Sequence, residues 1–235
     1  MKVILFRDEK KMSAGKITPK NILHFNKKQP QKINLENILE KASTDTISDA
    51  MKNLYGTNNI LTDVKPIKSS FKIVGKIRTA ETNSKDWGTC IKAIYDSQPH
   101  EILLIKCSDL DYAVWGEMAS KAAQTHGLKA TVIYGTTRDT EDIIKLDYPV
   151  FSKDIKSRAG FPSNKGTINE RLIIENIPII TGDILVGDRD GVVIIPQEKL
   201  EEVLEEVTNI KKFESECLKR IEENNENLDS ILKIK

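Results

Sequence analysis

The sequence contains little cysteine, and the cysteines it has do not follow the spacings of metal sites or disulfide frameworks. Cys90, Cys107 and Cys217 are odd in number, far apart and free of any C-x-x-C pair. A nucleophilic Cys107 would also need His100 or His126 as a base, brought to it by the fold alone. We therefore expect three reduced structural thiols.

Long apolar runs are also missing. The runs 102–105 and 192–195 are far shorter than the roughly 18 residues that a membrane span requires, and charge returns within residues 1–8 before a signal-peptide core could form. The formal net charge of +1 provides no field that would attract nucleic acid or an anionic membrane. We expect a cytoplasmic protein with no membrane and no direct nucleic-acid partner, which binds small polar molecules or other proteins.

Glycine-rich phosphate loops are absent as well. The glycines that follow apolar runs are isolated, so neither the dinucleotide-binding nor the P-loop pattern occurs. The segment 188–191, Asp-Arg-Asp-Gly, lacks the closing glutamate of a calcium loop and is typical of a tight hairpin.

The chain divides by composition into three parts. Residues 1–33 are rich in lysine and polar side chains, which predicts an N-terminal extension. Residues 34–196 carry alternating strand and helix patterns and form the predicted α/β domain. Residues 197–235 are highly charged, with apolar residues at helical spacing, and predict a C-terminal amphipathic helix and tail. One face of this helix must pack on another surface, such as a neighbouring subunit.

The order of elements predicts where a site would lie. Short helices are expected from Asn34 and Ser43, a half-exposed strand over 71–79, buried strands over 101–106 and 129–134, and a helix over 140–146. The apolar residues of 113–126 fall at helical spacing, and the segment after 172 reads as short strands. A strand–helix–strand order implies a parallel pair, whose carboxyl ends meet at one sheet edge. Residues 107–116 and 135–139 would lie there.

The segment Trp115-Gly116-Glu117-Met118-Ala119 has two interpretations. Periodicity favours an ordinary buried helix in which Gly116 permits close packing. Alternatively the helix begins near Gly116, and its free backbone N–H groups face an anion such as a carboxylate. Glycine slightly favours the second interpretation, because it costs about 1 kcal/mol inside a helix.

The pair Arg138-Asp139 is equally open. The two residues could form a surface ion pair, or Asp139 could cap the helix predicted from Thr140. Alternatively Asp139 holds a divalent metal, and Arg138 makes a forked contact to a carboxylate or enolate. Spacing alone does not choose between them.

Five segments form an ordered set along the chain: 43–51, Trp115–Met118, Gly135-x-x-Arg138-Asp139, 148–151 and 182–196. Together and in this order they resemble the RraA-like family, which includes the 4-hydroxy-4-methyl-2-oxoglutarate aldolases and the regulators of ribonuclease E activity. The resemblance implies an α/β fold, a three-layer β/β/α swivelling-type domain with a long C-terminal helix, assembled as a homotrimer or homohexamer with sites at subunit boundaries.

The resemblance also implies residue roles. The helix-start amides of Gly116, Glu117, Met118 and Ala119 would bind a pyruvyl carboxylate, Arg138 would contact the substrate, and Asp139 would ligate Mg²⁺ or Mn²⁺. Glu117 would lie near the water ligands of the metal. Glu214 matches a glutamate that the C-terminal helix contributes to the next subunit, which makes Arg138, Glu117 and Glu214 the implied catalytic residues.

These roles describe a divalent-metal-dependent lyase, a class II aldolase or decarboxylase, acting on a small 2-oxo acid such as 4-hydroxy-4-methyl-2-oxoglutarate or oxaloacetate. A metal and an arginine can stabilise a pyruvate enolate without a Schiff-base lysine. The alternative is a non-catalytic regulatory or binding protein on the same fold. A phosphohistidine carrier is disfavoured because none of His24, His100 and His126 is suitably framed.

Overall fold

A computed structural model describes residues 35–234. The predicted N-terminal extension, residues 1–33, lies outside the described residues, as does His24. The helices, numbered in chain order, are α1 (Leu35–Lys41), α2 (Thr44–Tyr55), α3 (Gly88–Asp96), α4 (Glu117–His126), α5 (Thr140–Leu146), α6 (Leu200–Asn224) and α7 (Leu228–Leu232). None of the helices in this part of the chain combines the length and apolarity that crossing a membrane requires.

Most of the strands join one nine-stranded sheet, and β8 and β9 form a separate hairpin. The strands are β1 (Lys65–Pro66), β2 (Ile73–Thr82), β3 (Ile102–Cys107), β4 (Ala113–Trp115), β5 (Ala130–Thr137), β6 (Val150–Ile155), β7 (Thr167–Ile168), β8 (Leu172–Ile174), β9 (Ile177–Ile179), β10 (Ile184–Asp188) and β11 (Gly191–Ile195).

The sheet has a parallel centre and antiparallel flanks. Strands β2, β3, β5 and β6 run parallel, whereas β10 and β11 continue beyond β2 as an antiparallel hairpin. The sheet curls nearly into a barrel, because residues 59–61 hydrogen-bond to β11 and β1 then pairs with β6. The expected tight hairpin at Asp188–Gly191 is confirmed.

Apolar side chains fill both sides of the curled sheet. Strand β3 is buried on both faces, as its continuous apolar run predicts: Ile102 and Leu104 point into the barrel, and Leu103 and Ile105 pack under helices α3 to α5. Helices α2 and α6 cover the outer side of β10 and β11. The predicted mixed α/β domain with a long C-terminal helix is confirmed.

Two local predictions near the candidate site are wrong. Ala113, Val114 and Trp115 form a strand rather than the first turn of a helix, because Ala113 and Trp115 pair with the end of β5 and all three residues are buried. The helical spacing of the apolar residues in 113–126 therefore extends too far toward the N-terminus. A strand buried on both faces is continuously apolar, and periodicity alone does not distinguish it from the first turn of a buried helix. The strand predicted over 129–134 is also too short, because residues 135–137 complete β5.

Sequence reasoning also missed helix α3, strand β6 and helix α7. Helix α3 begins Gly88-Thr89-Cys90, three poor helix formers, so its local signal is weak. Contacts outside the helix stabilise its start instead. The buried carboxylate of Asp86 accepts hydrogen bonds from the N–H and the hydroxyl of Thr89 in the first turn.

Candidate functional site

Pairing between β4 and β5 brings the two predicted site segments together. Strand β3 pairs with the first part of β5, and β4 takes its place beside the end of β5. The carbonyl oxygen of Trp115 accepts hydrogen bonds from the Arg138 N–H at 3.0 Å and from the Thr137 hydroxyl at 3.2 Å. Gly116 and Asp139 therefore leave neighbouring strands at the carboxyl edge of the sheet.

Helix α4 begins at Glu117, with Gly116 at the N-cap position. The first intrahelical hydrogen bond runs from the Ser120 N–H to the Gly116 carbonyl at 3.0 Å. The N–H groups of Glu117, Met118 and Ala119 thus have no intrahelical acceptor, as at any helix start. Of the two interpretations of this segment, the structure has the helix that begins at the glycine.

Asp139 turns its side chain toward this helix start. Its carboxylate Oδ2 lies 3.2 Å from the Glu117 main-chain nitrogen, which donates to it, and 3.5 Å from the Arg138 Nε. Asp139 occupies the N-cap position of α5 by its backbone, with φ of 56°, yet its side chain makes no capping hydrogen bond. Aspartate tolerates this left-handed backbone, which ten other described residues that are not glycine also adopt, so the backbone alone does not mark the site.

Gly116 leaves the space that the Asp139 carboxylate occupies. A Cβ atom added at Gly116 would overlap Asp139 Oδ2 and would come within 3.3 Å of Arg138 Cγ. The backbone of Gly116 is extended, with φ of −164°, so any residue could adopt it. The glycine is needed here for close approach and not for its backbone freedom.

A cleft of about 390 Å³ opens beside this contact. Of the predicted site residues, Gly116, Met118, Ala119, Arg138 and Asp139 line it, and Glu117 lines an adjoining groove of about 530 Å³. Glu214 lies exposed on α6 and is not among the described residues that line the cleft.

Sequence reasoning missed the opposite wall of the cleft. Trp87, Ile91 and Tyr95 line it from α3 and its preceding residue. Their spacing of four residues places them on one helix face, and that periodicity was the available signal. The segment containing Ala159 completes the wall, held by the hydrogen bond from the Ala113 N–H to the Arg158 carbonyl at 2.7 Å.

Asp86 anchors this wall from behind. It is 1% exposed, and its carboxylate accepts hydrogen bonds from the N–H groups of Asn164 at 2.8 Å and Lys165 at 2.7 Å as well as from the N–H and the hydroxyl of Thr89. Burial alone would raise the pKa of Asp86, but the hydrogen bonds from Lys165, Thr89 and Asn164 outweigh it and hold the pKa well below its usual range. The carboxylate fastens the segment after Ala159 to the start of α3.

The cysteines behave as structural thiols. Cys90, Cys107 and Cys217 are free and buried. Cys107 ends β3 and packs against Gly135, but burial, and secondarily the nearby Asp109, raises its pKa to about 12. A thiol with that pKa is protonated at neutral pH and is a poor nucleophile.

The donor set beside the cleft suits a hard, largely hydrated cation. The described residues contain no cluster of three or more histidine, cysteine, aspartate or glutamate side chains, and Asp139 supplies the one carboxylate among the residues that line the cleft. Mg²⁺ is commonly held by one or two carboxylates and several waters, so Asp139 fits such an ion and not a fully protein-ligated one.

The fold and cleft define a class: a near-barrel mixed α/β domain in which a helix start and an Arg-Asp pair share one sheet edge. The RraA-like family model, described as Aldolase/RraA, matches residues 44–194. The chain belongs to the RraA-like family.

Individual relatives agree with this assignment. The chain is 39% identical over 189 residues to an uncharacterized protein of Methanocaldococcus jannaschii, covering 79% of this chain and 88% of the relative. It is 32% identical over 178 residues to a Halalkalibacterium halodurans protein that carries the provisional name 4-hydroxy-4-methyl-2-oxoglutarate aldolase, covering 75% and 83%.

Solved structures share the fold. An uncharacterized protein from Pseudomonas syringae pv. tomato aligns with a TM-score of 0.72 at 24% identity, covering 84% of this chain and 96% of that one. RraAS2 of Streptomyces coelicolor, described as an unusual member of the RNase ES inhibitor RraA family, aligns with a TM-score of 0.69 at 19% identity, covering 80% and 98%. At these identities the similarity concerns the fold alone.

Proposed function

We propose that this protein is a divalent-metal-dependent lyase that cleaves a small 2-oxo acid, such as 4-hydroxy-4-methyl-2-oxoglutarate or oxaloacetate, through a pyruvate enolate. The observation that carries the proposal is the meeting of the Glu117 N–H, the Arg138 side chain and the Asp139 carboxylate at one end of the cleft. Membership of a family with a relative provisionally named as such an aldolase supports it.

The helix start and the arginine would bind the acid. The N–H groups of Met118 and Ala119 lack intrahelical acceptors and suit the substrate carboxylate, with the Gly116 N–H beside them. The Glu117 N–H would join them by exchanging its present acceptor, the Asp139 carboxylate, for the substrate. Arg138 is 44% exposed in its side chain, so its guanidinium can turn to the 2-oxo group. A cation held by Asp139, Mg²⁺ or Mn²⁺, would supply Lewis-acid stabilisation of the negative charge that develops on the substrate.

The aldol cleavage then needs a proton acceptor and a charge stabiliser. The C3–C4 bond breaks, its electron pair moves into the pyruvate part, and the 4-hydroxyl loses its proton as C4 becomes a carbonyl. Arg138 would stabilise the enolate charge. Glu117, exposed beside the cleft, and Glu214 of a neighbouring subunit are the proposed proton acceptors.

We further propose a homotrimer or homohexamer in which α6 reaches the next subunit. The first half of α6 packs on its own domain through Val203, Leu204 and Val207. Its second half leaves apolar side chains in solvent, with Phe213 at 52% and Leu218 at 56% exposure. Leu218 lies one helical turn after Glu214, so a partner covering it would also approach Glu214.

A coupled assay of pyruvate release tests the lyase. Wild type, Arg138→Ala and Asp139→Asn would be compared on 4-hydroxy-4-methyl-2-oxoglutarate and on oxaloacetate, with Mg²⁺, with Mn²⁺ and with chelator. We expect metal-dependent release that falls at least 100-fold in both variants. Asp142→Asn, on the exposed face of α5 and paired with Lys145, is the matched control and should retain full activity.

Activity that is absent, or that ignores both substitutions, contradicts the lyase. The non-catalytic alternative would then be favoured, since the solved structures with this fold include proteins described as inhibitors of RNA processing. Binding of Mn²⁺, measured by calorimetry on the same variants, separates loss of the metal from loss of the substrate contact.

A further inference from the structure

One buried hydroxyl connects the groups around the start of helix α4. Ser120 is fully buried, and its Oγ accepts the Trp115 Nε1–H at 2.8 Å and donates to the Gly116 carbonyl oxygen at 3.0 Å. The Ser120 main-chain N–H donates to the same oxygen, also at 3.0 Å. Ser120 is not among the described residues that line the cleft, so it acts on the site through the groups that it binds.

The Gly116 carbonyl and the Glu117 N–H belong to one peptide group. A trans peptide is planar, and its C=O and N–H point to opposite sides of the chain. The described residues contain no cis peptide bond. Two donors from Ser120 therefore fix the orientation of this peptide from its carbonyl side. The Glu117 N–H on the opposite side is thereby directed at Asp139 Oδ2, which lies 3.2 Å from the Glu117 nitrogen.

The Ser120 hydroxyl is not needed to form the helix. A serine that donates to the carbonyl four residues earlier slightly destabilises a helix and often bends it. The Ser120 N–H already satisfies the Gly116 carbonyl, as helix geometry requires. The contribution of the hydroxyl is therefore one of orientation, because a second donor holds the carbonyl against rotation of the peptide plane.

The other partner of this hydroxyl is also fixed. Trp115 is 2% exposed, and its carbonyl oxygen accepts hydrogen bonds from the Arg138 N–H and the Thr137 hydroxyl. Its indole N–H donates to Ser120. Trp115 thus connects the end of β5, where Arg138 begins, to the peptide that carries the Glu117 N–H.

We infer that Ser120 is a positioning residue of the proposed site. Through the Gly116 carbonyl it directs the Glu117 N–H at a carboxylate, that of Asp139 in this structure and that of the substrate in the proposed reaction. The inference rests on the proposed function and adds a residue that supports it from outside the cleft. Without the hydroxyl the peptide plane can turn, and the Asp139 carboxylate loses its defined orientation toward a cation.

The amide of Glu117 tests this orientation directly in the metal-free protein. In Ser120→Ala we expect its nitrogen and proton resonances to shift and its exchange with solvent to quicken by at least about fivefold, as weakening of one hydrogen bond allows. Ser97→Ala is the matched control and should leave the Glu117 amide unchanged. Ser97 is also buried, and directly after α3 its hydroxyl donates to the carbonyl four residues earlier, that of Ala93, at 2.7 Å.

Metal affinity tests the consequence for Asp139. Removing a group that orients a metal ligand typically lowers affinity by about 10- to 100-fold, and Ser120 acts one hydrogen bond further out. We therefore expect the affinity for Mn²⁺, measured by calorimetry, to fall about tenfold in Ser120→Ala. Ser97→Ala should bind Mn²⁺ as wild type does. Equal affinities in the two variants contradict the inference.

A second background separates positioning from a loss of stability. Ser120→Ala leaves the buried Trp115 N–H without its acceptor, which by itself lowers the melting temperature. Trp115→Phe removes that donor, so adding Ser120→Ala to it should change the melting temperature little and still lower the affinity for Mn²⁺ by a similar factor. An effect on affinity that disappears in this background overturns the inference, because Ser120 would then act only by satisfying the indole.

Turnover distinguishes this inference from the proposed function. If wild type binds no Mn²⁺ and releases no pyruvate, the lyase is contradicted, and the Glu117 amide in the metal-free protein still decides whether Ser120 orients it. If wild type is an active lyase and the Glu117 amide is unchanged in Ser120→Ala, only the role of Ser120 is overturned.

Discussion

The main-chain N–H of Glu117 donates a hydrogen bond to the Oδ2 of Asp139 at 3.2 Å, across a separation of 22 residues in the chain. The contact ties the first residue of α4 to the loop that follows β5. The position of the Asp139 carboxylate thus depends on where helix α4 begins, and its proposed role can be perturbed from either segment.

The substitution Gly116→Ala should displace the Asp139 carboxylate from the side of helix α4. The added Cβ would overlap Asp139 Oδ2, whereas the extended backbone of Gly116 accepts alanine without strain. We expect the Asp139 carboxylate to be displaced and Mn²⁺ affinity, measured by calorimetry, to fall at least tenfold, with little change in the melting temperature. Unaltered affinity would show that the cation does not depend on this contact.

Two substitutions of Asp139 separate the effect of its negative charge from the effect of its left-handed backbone on stability. Its φ of 56° is left-handed, a conformation that asparagine tolerates and alanine does not. Asp139→Asn should therefore leave the free energy of unfolding nearly unchanged, and Asp139→Ala should lower it by about 1 kcal/mol. Urea unfolding measures both, and equal stabilities would contradict the backbone argument.

Asp86 offers a test of how the opposite wall is held. Asp86→Asn removes the charge that the Asn164, Lys165 and Thr89 donors stabilise, and we expect a loss on the order of 2 kcal/mol in the free energy of unfolding. Asp111→Asn, at an exposed position outside the cleft, is a suitable control.

The loss of unfolding free energy in Asp86→Asn should become smaller as the pH falls. The folded pKa of Asp86 is lowered, so its contribution is fully present above the unfolded value of roughly 4 and is lost as pH falls toward the folded value. The difference in unfolding free energy between wild type and Asp86→Asn should hence be constant above about pH 5 and shrink below about pH 4. A difference that grows on acidification would contradict the hydrogen-bonding account.

Part of the candidate site could be predicted from the sequence and part could not. Arg138 and Asp139 could be singled out because they follow an apolar strand, and the parallel order of β3 and β5 placed them at the correct sheet edge. Ala113–Trp115 could not be assigned locally, because a doubly buried strand and a buried helix have the same apolar composition. Its pairing with β5, a long-range contact, decided the matter.

The opposite wall of the cleft could not be predicted from the sequence for a different reason. Trp87, Ile91 and Tyr95 have a clear spacing of four, but the helix that carries them begins with glycine and threonine and gives little sign of its start. Asp86, which holds that start, is charged and reads from sequence as a surface residue. Its burial follows from donors contributed by residues 164 and 165, nearly eighty positions away.

Cys107 should resist thiol reagents in the folded protein. Its pKa of about 12 and its burial leave almost no accessible thiolate at neutral pH. Iodoacetamide at pH 7.5, followed by peptide mass spectrometry, should modify Cys107 only after denaturation. Rapid labelling of the native protein would show that the end of β3 opens readily, and would reopen a reactive role for this thiol.

The most demanding prediction concerns Glu214, which the single chain leaves exposed on α6 and away from the cleft-lining residues. If a neighbouring subunit brings Glu214 to the site, each site combines Arg138 of one chain with Glu214 of the next. Glu214→Gln and Arg138→Ala are then each inactive alone, but each chain still carries the residue that the other lacks. Coexpression in equal amounts should then restore about a quarter of the wild-type activity, because random assembly gives that fraction of sites both native residues.

Complementation discriminates because no rearrangement within one chain can imitate it. Were each site built from a single chain, every chain in the mixture would still carry one defect, and the mixed oligomer would be as inactive as its parents. Coexpression of Arg138→Ala with Asp139→Asn is the internal control, since both residues lie in one cleft of one chain and must fail to complement. Full activity in Glu214→Gln alone would instead remove that glutamate from the reaction.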